Sequence, residues 1–214
     1  ESLSKITVDL AKKIKLSRLH VGALDELEGV VDTSKLHNAW QQTLKAIHSF
    51  RTLKKAPLPK IFQAKLRPYQ QEGVNWISFL KEYQFGGILA DDMGLGKTIQ
   101  ALTILAQTYE DTSVIKPSLI VAPTSVVYNW QEEIKRFTPG LKTHMYIGKE
   151  RSFPQDKNVN VIITSHALLW RDREQFLKCD FHYVILDEAH YIKNHKSKTA
   201  KAAHQISPDH RLSL

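Results

Sequence analysis

The stretch "GGILADDMGLGKTIQAL", Gly86 to Leu102, decides how the rest of the chain is read. Gly96, Lys97 and Thr98 fit the end of the phosphate-binding pattern G-x-x-x-x-G-K-[ST], but Asp91 stands where the first glycine belongs. Gly94 and Gly96 allow positive φ, so successive N–H groups at a helix N-terminus can close on an anion. Lys97 would reach β- and γ-phosphates, and the Thr98 hydroxyl would ligate Mg²⁺. A first-position glycine serves the turn rather than the phosphate, so Asp91 weakens the match without voiding it. The pattern also requires a strand before it and a helix after it. "GGILA" and "KTIQALTILAQTY" supply both.

Outward from this stretch, from residue 66 on, short apolar runs alternate with amphipathic ones. The runs "SLIVAP", "THMYIG", "NVIITS" and "HYVILDEAH" have strand length; "SVVYNWQEEIKRF" and "HALLWRDREQFLKC" have helical spacing. Strands apolar throughout, separated by helices, predict an α/β domain with a mostly parallel central sheet flanked by helices. In such sheets ligands collect beyond the carboxyl ends of the strands. "VILDEAH" places Asp187 there, a hard oxygen donor suited to Mg²⁺ directly or through water. Glu188 could orient or deprotonate a water attacking a γ-phosphate, and His190 could relay the nucleotide state. A surface acid pair is the plain alternative, and its co-occurrence with the Gly-Lys-Thr loop argues against it.

Residues 1–56 have a different texture, helical and basic, with Leu10, Ile14 and Leu16 near one face and Trp40, Leu44 and Ile47 at helical spacing. Pro57 and Pro59 in "KKAPLPKIF" interrupt any helix and mark a linker, so the second region is placed at 57–214. The chain has 214 residues, 30 Lys and Arg against 22 Asp and Glu, and a net charge of +8, compatible with a polyanionic partner. No apolar run approaches the roughly 20 residues needed to span a bilayer, so no membrane association is expected. No signal peptide is visible, and a cytoplasmic location is expected, on the nucleoid if the source is bacterial. The single cysteine, Cys179, excludes an internal disulfide and reads as a half-buried thiol. The ten histidines show no metal-helix spacing. A start at Glu1 rather than Met suggests a piece of a longer protein.

"DDMGLGKT" with "DEAH" resembles motifs I and II of superfamily-two helicases, and further strings narrow the likeness to the Snf-type DNA translocases. "LRPYQQEGVNW" resembles that family's adenine-recognition segment, "VAPTSVVYNWQEEIKRF" its motif Ia and "VIITSHALL" its motif Ib. The I-K-N-x-x-S-K continuation in "DEAHYIKNHKSK" is the most discriminating, because other DEAH helicases do not usually carry it. The likeness covers about residues 60 to 214; residues 1–56 resemble, loosely, the tail of the helicase-associated region of bacterial members.

The resemblance implies the first RecA-like lobe of a double-stranded-DNA-dependent ATPase, from a bacterial member. ATP with Mg²⁺ would be held by Met93, Gly94, Leu95, Gly96, Lys97 and Thr98, with Gln70 on the adenine edge. Catalysis would rest on Lys97, Asp187 and Glu188, and the metal on Thr98 and Asp187. Ser125, Asn129 and Thr164 would bond DNA phosphates, with Lys193 and Lys198 adding charge. Phosphate contacts position a strand without reading its sequence. Alternatives stay open: Thr124 or Ser125 would serve equally as an N-cap, Trp130 as a packing residue, and the lysines as a solvated face.

This chain departs from the family at Asp92, where Glu is usual, and in ending at Leu214, before motif III. The second RecA-like lobe and its arginine finger are therefore expected elsewhere in the same parent chain, and the fragment alone is expected to be nearly inactive. Rival readings are a strand-separating DNA or RNA helicase and a nucleotide-binding interaction module without turnover.

Overall fold

The computed structural model describes residues 53–111, 113–156 and 158–214. Of the helical region expected over residues 1–56, residues 1–52 lie outside the described residues, and 53–56 form no helix.

Six parallel strands form one sheet: β1 Gly87–Ile88, β2 Ser118–Ala122, β3 Thr143–Met145, β4 Val161–Ser165, β5 Tyr183–Leu186 and β6 His210–Ser213, in the order β1-β6-β5-β2-β4-β3. The helices are α1 Pro68–Glu82, α2 Lys97–Glu110, α3 Val127–Phe137, α4 His166–Arg171, α5 Arg173–Phe176 and α6 Lys198–Gln205. The expected α/β architecture is present.

Both faces of the sheet are covered, which is why β2, β4 and β5 are buried at every position. Alternate side chains go to opposite layers. Ile120, Ala122, Val161, Ile163, Tyr183 and Ile185 pack under α1, α2 and α3, against Val74, Ile77, Leu102, Leu105 and Trp130. Leu119, Val121, Ile162, Val184 and Leu186 pack under α4, α5 and α6, against Leu169, Phe176 and Ala203. Each fully buried Leu, Ile or Val side chain contributes about 1.5–3 kcal/mol.

α2 is buried on most sides, from Gln100 through Ala106. A helix in that position must be apolar nearly all round. α3 buries Val127, Trp130 and Ile134, one stripe, and turns Glu132, Lys135 and Arg136 outward. α1 opens with Pro68 at its first turn, where a missing N–H costs nothing. Residues 53–59 have no regular structure and lead into a turn at 60–61: the Ala56 N–H donates to Asn75 Oδ1 at 2.8 Å, and Gln71 Nε2 donates to the Ala56 carbonyl at 3.1 Å. Ala56 and Phe62 are buried.

Three local expectations are corrected. "HALLWRDREQFLKC" is not one helix: it breaks at Asp172 into α4 and α5. The Asp172 carboxylate accepts from Arg151 Nε at 2.6 Å and Nη2 at 3.1 Å, an ion pair that holds this turn against the loop after β3. The end of the chain is a sixth strand that the apolar pattern did not announce. Its Arg211 guanidinium donates to the Ala203 and Ile206 carbonyls at 2.9 and 2.6 Å, covering orphan carbonyls at the end of α6. Finally, α3 starts from Val126 without a side-chain cap, so neither Thr124 nor Ser125 plays that part.

Candidate phosphate and nucleic-acid site

Strand register assembles the site. Ile88 pairs with Ser213, Ser213 with Leu186, Leu186 with Val121 and Val121 with Thr164, one row across five strands. Because all strands are parallel, every segment that follows this row leaves the same edge of the sheet. Those segments are the glycine loop after β1, Asp187 and Glu188 after β5, Pro123 to Ser125 after β2, and His166 after β4. Only β6 separates β1 from β5, so their ends lie about 10 Å apart at the usual strand spacing.

The glycine loop is braced from three sides. Gly94 and Gly96 have φ of 85° and 80°, and Gly96 sits directly before α2. Its first residues therefore offer free N–H groups at a helix N-terminus. Gln70, buried, accepts from the Arg67 N–H at 2.9 Å through Oε1 and donates from Nε2 to the Leu95 carbonyl at 3.0 Å. The Tyr69 hydroxyl donates to the same carbonyl at 3.2 Å. Gln70, expected at the adenine edge, here joins the start of α1 to the loop. Lys97 Nζ donates to the Asp91 and Asp92 carbonyls at 2.8 and 3.4 Å. The Asp91 carboxylate accepts from Gln100 Nε2 at 2.9 Å. Met93 is exposed at the loop tip.

Opposite stands Asp187. Its Oδ2 accepts from the Trp130 indole N–H at 2.8 Å, and its Oδ1 accepts from the Glu188 N–H at 2.9 Å. Its carbonyl pairs with His166 Nε2 at 2.8 Å. Glu188 has φ 52°, in the left-handed region that residues other than glycine adopt only when their surroundings hold them there. Its Oε2 lies 3.1 Å from His190 Nδ1. Trp130 is buried in the core, as a packing residue, and its indole bond to Asp187 is a role that the sequence reading missed. His166 is buried, which pushes its pKa down, and its ring stacks on Tyr191 at 5.0 Å and 8°. It too was missed.

The oxygen donors here suit a hard divalent cation: a carboxylate at a strand end and the Thr98 hydroxyl at the first turn of α2. A side chain at Gly94 would meet nothing within 4 Å, so its glycine serves backbone conformation and leaves the loop open to a ligand. Loop and donors fit a magnesium-bound phosphate chain.

The residues expected on a nucleic-acid backbone divide. Ser125 and Asn129 are exposed at the start of α3, and Asn129 Nδ2 donates to Glu133 Oε1 at 3.2 Å. Burial pushes the Glu133 carboxyl up, and the nearby Asp187 charge adds to this. Lys193 and Lys198 are exposed, and Lys198 Nζ lies over the Trp170 ring at 5.8 Å from its centroid. Thr164 is corrected: it is fully buried in β4, and its hydroxyl donates to the Tyr146 carbonyl at 3.0 Å. A strand covered on both faces turns even its polar member inward. The starts of α3 and α4 share an apolar recess of about 270 Å³, lined by Thr124, Val127, Tyr128, Ile147, Ser165 and Leu168. Cys179 is half-buried, and burial raises its pKa. Among the described residues no group of side chains is placed to hold a metal by His, Cys, Asp and Glu alone, and no helix is long and apolar enough to cross a membrane.

The sequence profile of the SNF2-related domain matches residues 69–214. The TATA-binding protein-associated factor mot1 of Aspergillus fumigatus is 36% identical over 223 residues, covering 97% of this chain and 12% of that protein. Helicase SWR1 of Debaryomyces hansenii is 41% identical over 165 residues, covering 74% of this chain and 10% of that protein. The solved SWI2/SNF2 ATPase core of Sulfolobus solfataricus in complex with dsDNA has a TM-score of 0.70 at 34% identity, covering 75% of this chain and 34% of that one. The chain thus spans about a tenth of the length of these curated relatives and a third of the solved core. These relatives are fungal and the solved core is from Sulfolobus, which lends no support to the expected bacterial origin.

Proposed function

The chain belongs to the SNF2-related domain family, and from that premise we propose that it is the ATP-binding lobe of a double-stranded-DNA-dependent ATPase that translocates along duplex DNA. The observation that carries the reading is the register row, which leaves the glycine loop and the Asp187–Glu188 pair at one sheet edge with a single strand between them. A chance Gly-Lys-Thr and a chance acid pair have no reason to meet there.

Within this reading, N–H groups of Gly94 to Thr98 hold phosphate oxygens, and Lys97 leaves the Asp91 carbonyl to neutralise the β- and γ-phosphates. Thr98 and Asp187 would hold Mg²⁺, directly or through water, and the ion supplies charge neutralisation on the phosphates. Glu188, fixed by its own left-handed backbone, orients the attacking water and accepts its proton. Ser125, Asn129, Lys193 and Lys198 contact the DNA backbone, consistent with indifference to sequence. A second RecA-like lobe of the same parent chain completes the nucleotide site, and an arginine finger there would account for about 10³–10⁵ in rate. The protein works in the compartment that holds its DNA.

The test compares ATP hydrolysis by this fragment and by the full-length protein, each with and without duplex DNA. The reading expects slow turnover by the fragment and strong DNA stimulation of the full-length protein. Stimulation by single-stranded DNA or RNA alone would favour a strand-separating helicase. Nucleotide binding without turnover in the full-length protein would leave an interaction module.

A further inference from the structure

Asp187 is gripped twice, once from the helix that follows β2 and once from the helix that follows β4. Trp130 lies one turn into α3, whose entry carries the exposed Ser125 and Asn129. Its indole N–H can only donate, and it donates to the Oδ2 side of the carboxylate at 2.8 Å. His166 opens α4, directly after the Ser165 that caps this helix by accepting from the Leu168 N–H at 3.3 Å. A carbonyl only accepts, so the His166 proton sits on Nε2 and points at the Asp187 carbonyl at 2.8 Å. Nδ1 is then a bare acceptor, buried and, among the described residues, without a partner. An orphaned buried acceptor is costly. The ring keeps this place because the Tyr191 stack and the Asp187 bond together hold it. Tyr191 in turn stands three residues beyond the strained Glu188, whose carbonyl accepts from the Tyr191 N–H at 3.0 Å.

The two grips act on different parts of one residue. Trp130 sets where the carboxylate points, and His166 sets the peptide plane that joins Asp187 to Glu188. The starts of α3 and α4 line the same recess, through Val127 and Tyr128 on one and Ala167 and Leu168 on the other, so a ligand seated across it would press on both.

We propose that Trp130 and His166 are positioning residues that transmit DNA engagement to the metal-facing carboxylate of Asp187 and the backbone of Glu188. The inference rests on the reading of this lobe as a DNA-dependent ATPase. Coupling of this kind is reciprocal: whatever factor DNA applies to nucleotide affinity, nucleotide applies to DNA affinity.

The full-length protein tests it without turnover. Affinity for a fluorescent non-hydrolysable ATP analogue with Mg²⁺ is measured with and without a saturating random-sequence duplex, and the ratio is the coupling factor. For wild type it is expected in the range of about 5–150-fold, the usual span for coupled sites. Trp130→Phe and His166→Phe each lower it, and together they bring it to one, while affinity for the duplex alone is unchanged. His166→Gln restores a donor to the Asp187 carbonyl and restores the coupling, which a merely space-filling role would not do. Because His166→Phe keeps the ring stack, it remains informative even if Trp130→Phe unfolds the lobe. With 5-fluorotryptophan incorporated, the ¹⁹F resonance of Trp130 shifts when the duplex is added in the absence of nucleotide. Unchanged coupling in His166→Phe together with a silent Trp130 resonance overturns the inference, as does a wild type that binds both ligands independently. A wild type that binds no magnesium-nucleotide or no duplex overturns the underlying reading and this inference with it.

Discussion

Asp91 and Gln100 are joined by a hydrogen bond of 2.9 Å from the amide Nε2 to the carboxylate, so the residue that breaks the glycine pattern fastens the loop to α2. Replacing Asp91 by Ala is expected to loosen the loop and weaken nucleotide binding about tenfold, the equivalent of about 1.4 kcal/mol for a hydrogen bond to a charged group. Isothermal titration of wild type and variant measures it. Equal affinities would show that the bond is incidental.

Gly73 of α1 sits against the same glutamine: a β-carbon there would run into Gln100 Oε1. Gly73→Ala would ordinarily stabilise a helix by about 0.8–1.0 kcal/mol. Here the gain is offset by the lost Asp91 contact, so the thermal midpoint should barely move while nucleotide affinity falls. A midpoint raised by several degrees with affinity intact would mean that Gln100 yields freely.

Among the described residues, Lys97 bonds to the Asp91 and Asp92 carbonyls of its own loop and to nothing else. Lys97→Ala therefore leaves the core untouched and should keep the circular-dichroism spectrum and unfolding midpoint of wild type. Magnesium-nucleotide affinity should fall on the order of 100-fold, the loss of a charge-assisted contact in a closed site. Unaltered affinity would remove this lysine from the phosphate site.

At the opposite edge of the sheet, His182 and His210 meet edge to face at 5.0 Å, with Asp209, Lys116, Lys81 and Tyr183 around them. Burial, then the neighbouring His182 and Lys81, push His210 down to about 4, and burial also lowers His182. The unfolded chain, with histidines near 6.5, binds protons over this interval that the folded chain refuses. Stability should thus be steady above pH 6.5 and decline as pH falls toward 4. Unfolding midpoints across that range, compared with His210→Phe, check it: the variant's decline should be shallower.

For duplex DNA, log affinity should fall with log salt at about −0.9 per phosphate neutralised. Lys193→Ala and Lys198→Ala should each make the slope shallower by about one contact's worth. Binding that ignores salt would remove the backbone-tracking account.

The layered parallel sheet was legible because "SLIVA", "VIITS" and "YVIL" carry no polar–apolar alternation, the mark of strands covered on both sides. The glycine loop and Asp187 were legible because each follows such a run. The same uniformity concealed Thr164, whose burial depends on what lies beyond β4 and not on its neighbours in sequence. β6 was hidden by Arg211, whose charge reads as surface until the end of α6 is there to receive it. Trp130 was recognisable as a packing residue and His166 was not singled out at all; their bonds to Asp187 join distant parts of the chain that periodicity cannot connect.

The strand that carries the glycine loop is two residues long and pairs, among the described residues, with β6 alone. During synthesis, then, the loop emerges early but the strand that carries it has no described partner until β6 has left the ribosome. A nascent lobe would be blind to nucleotide through most of its translation, and competence would arrive abruptly, with the segment His210–Ser213.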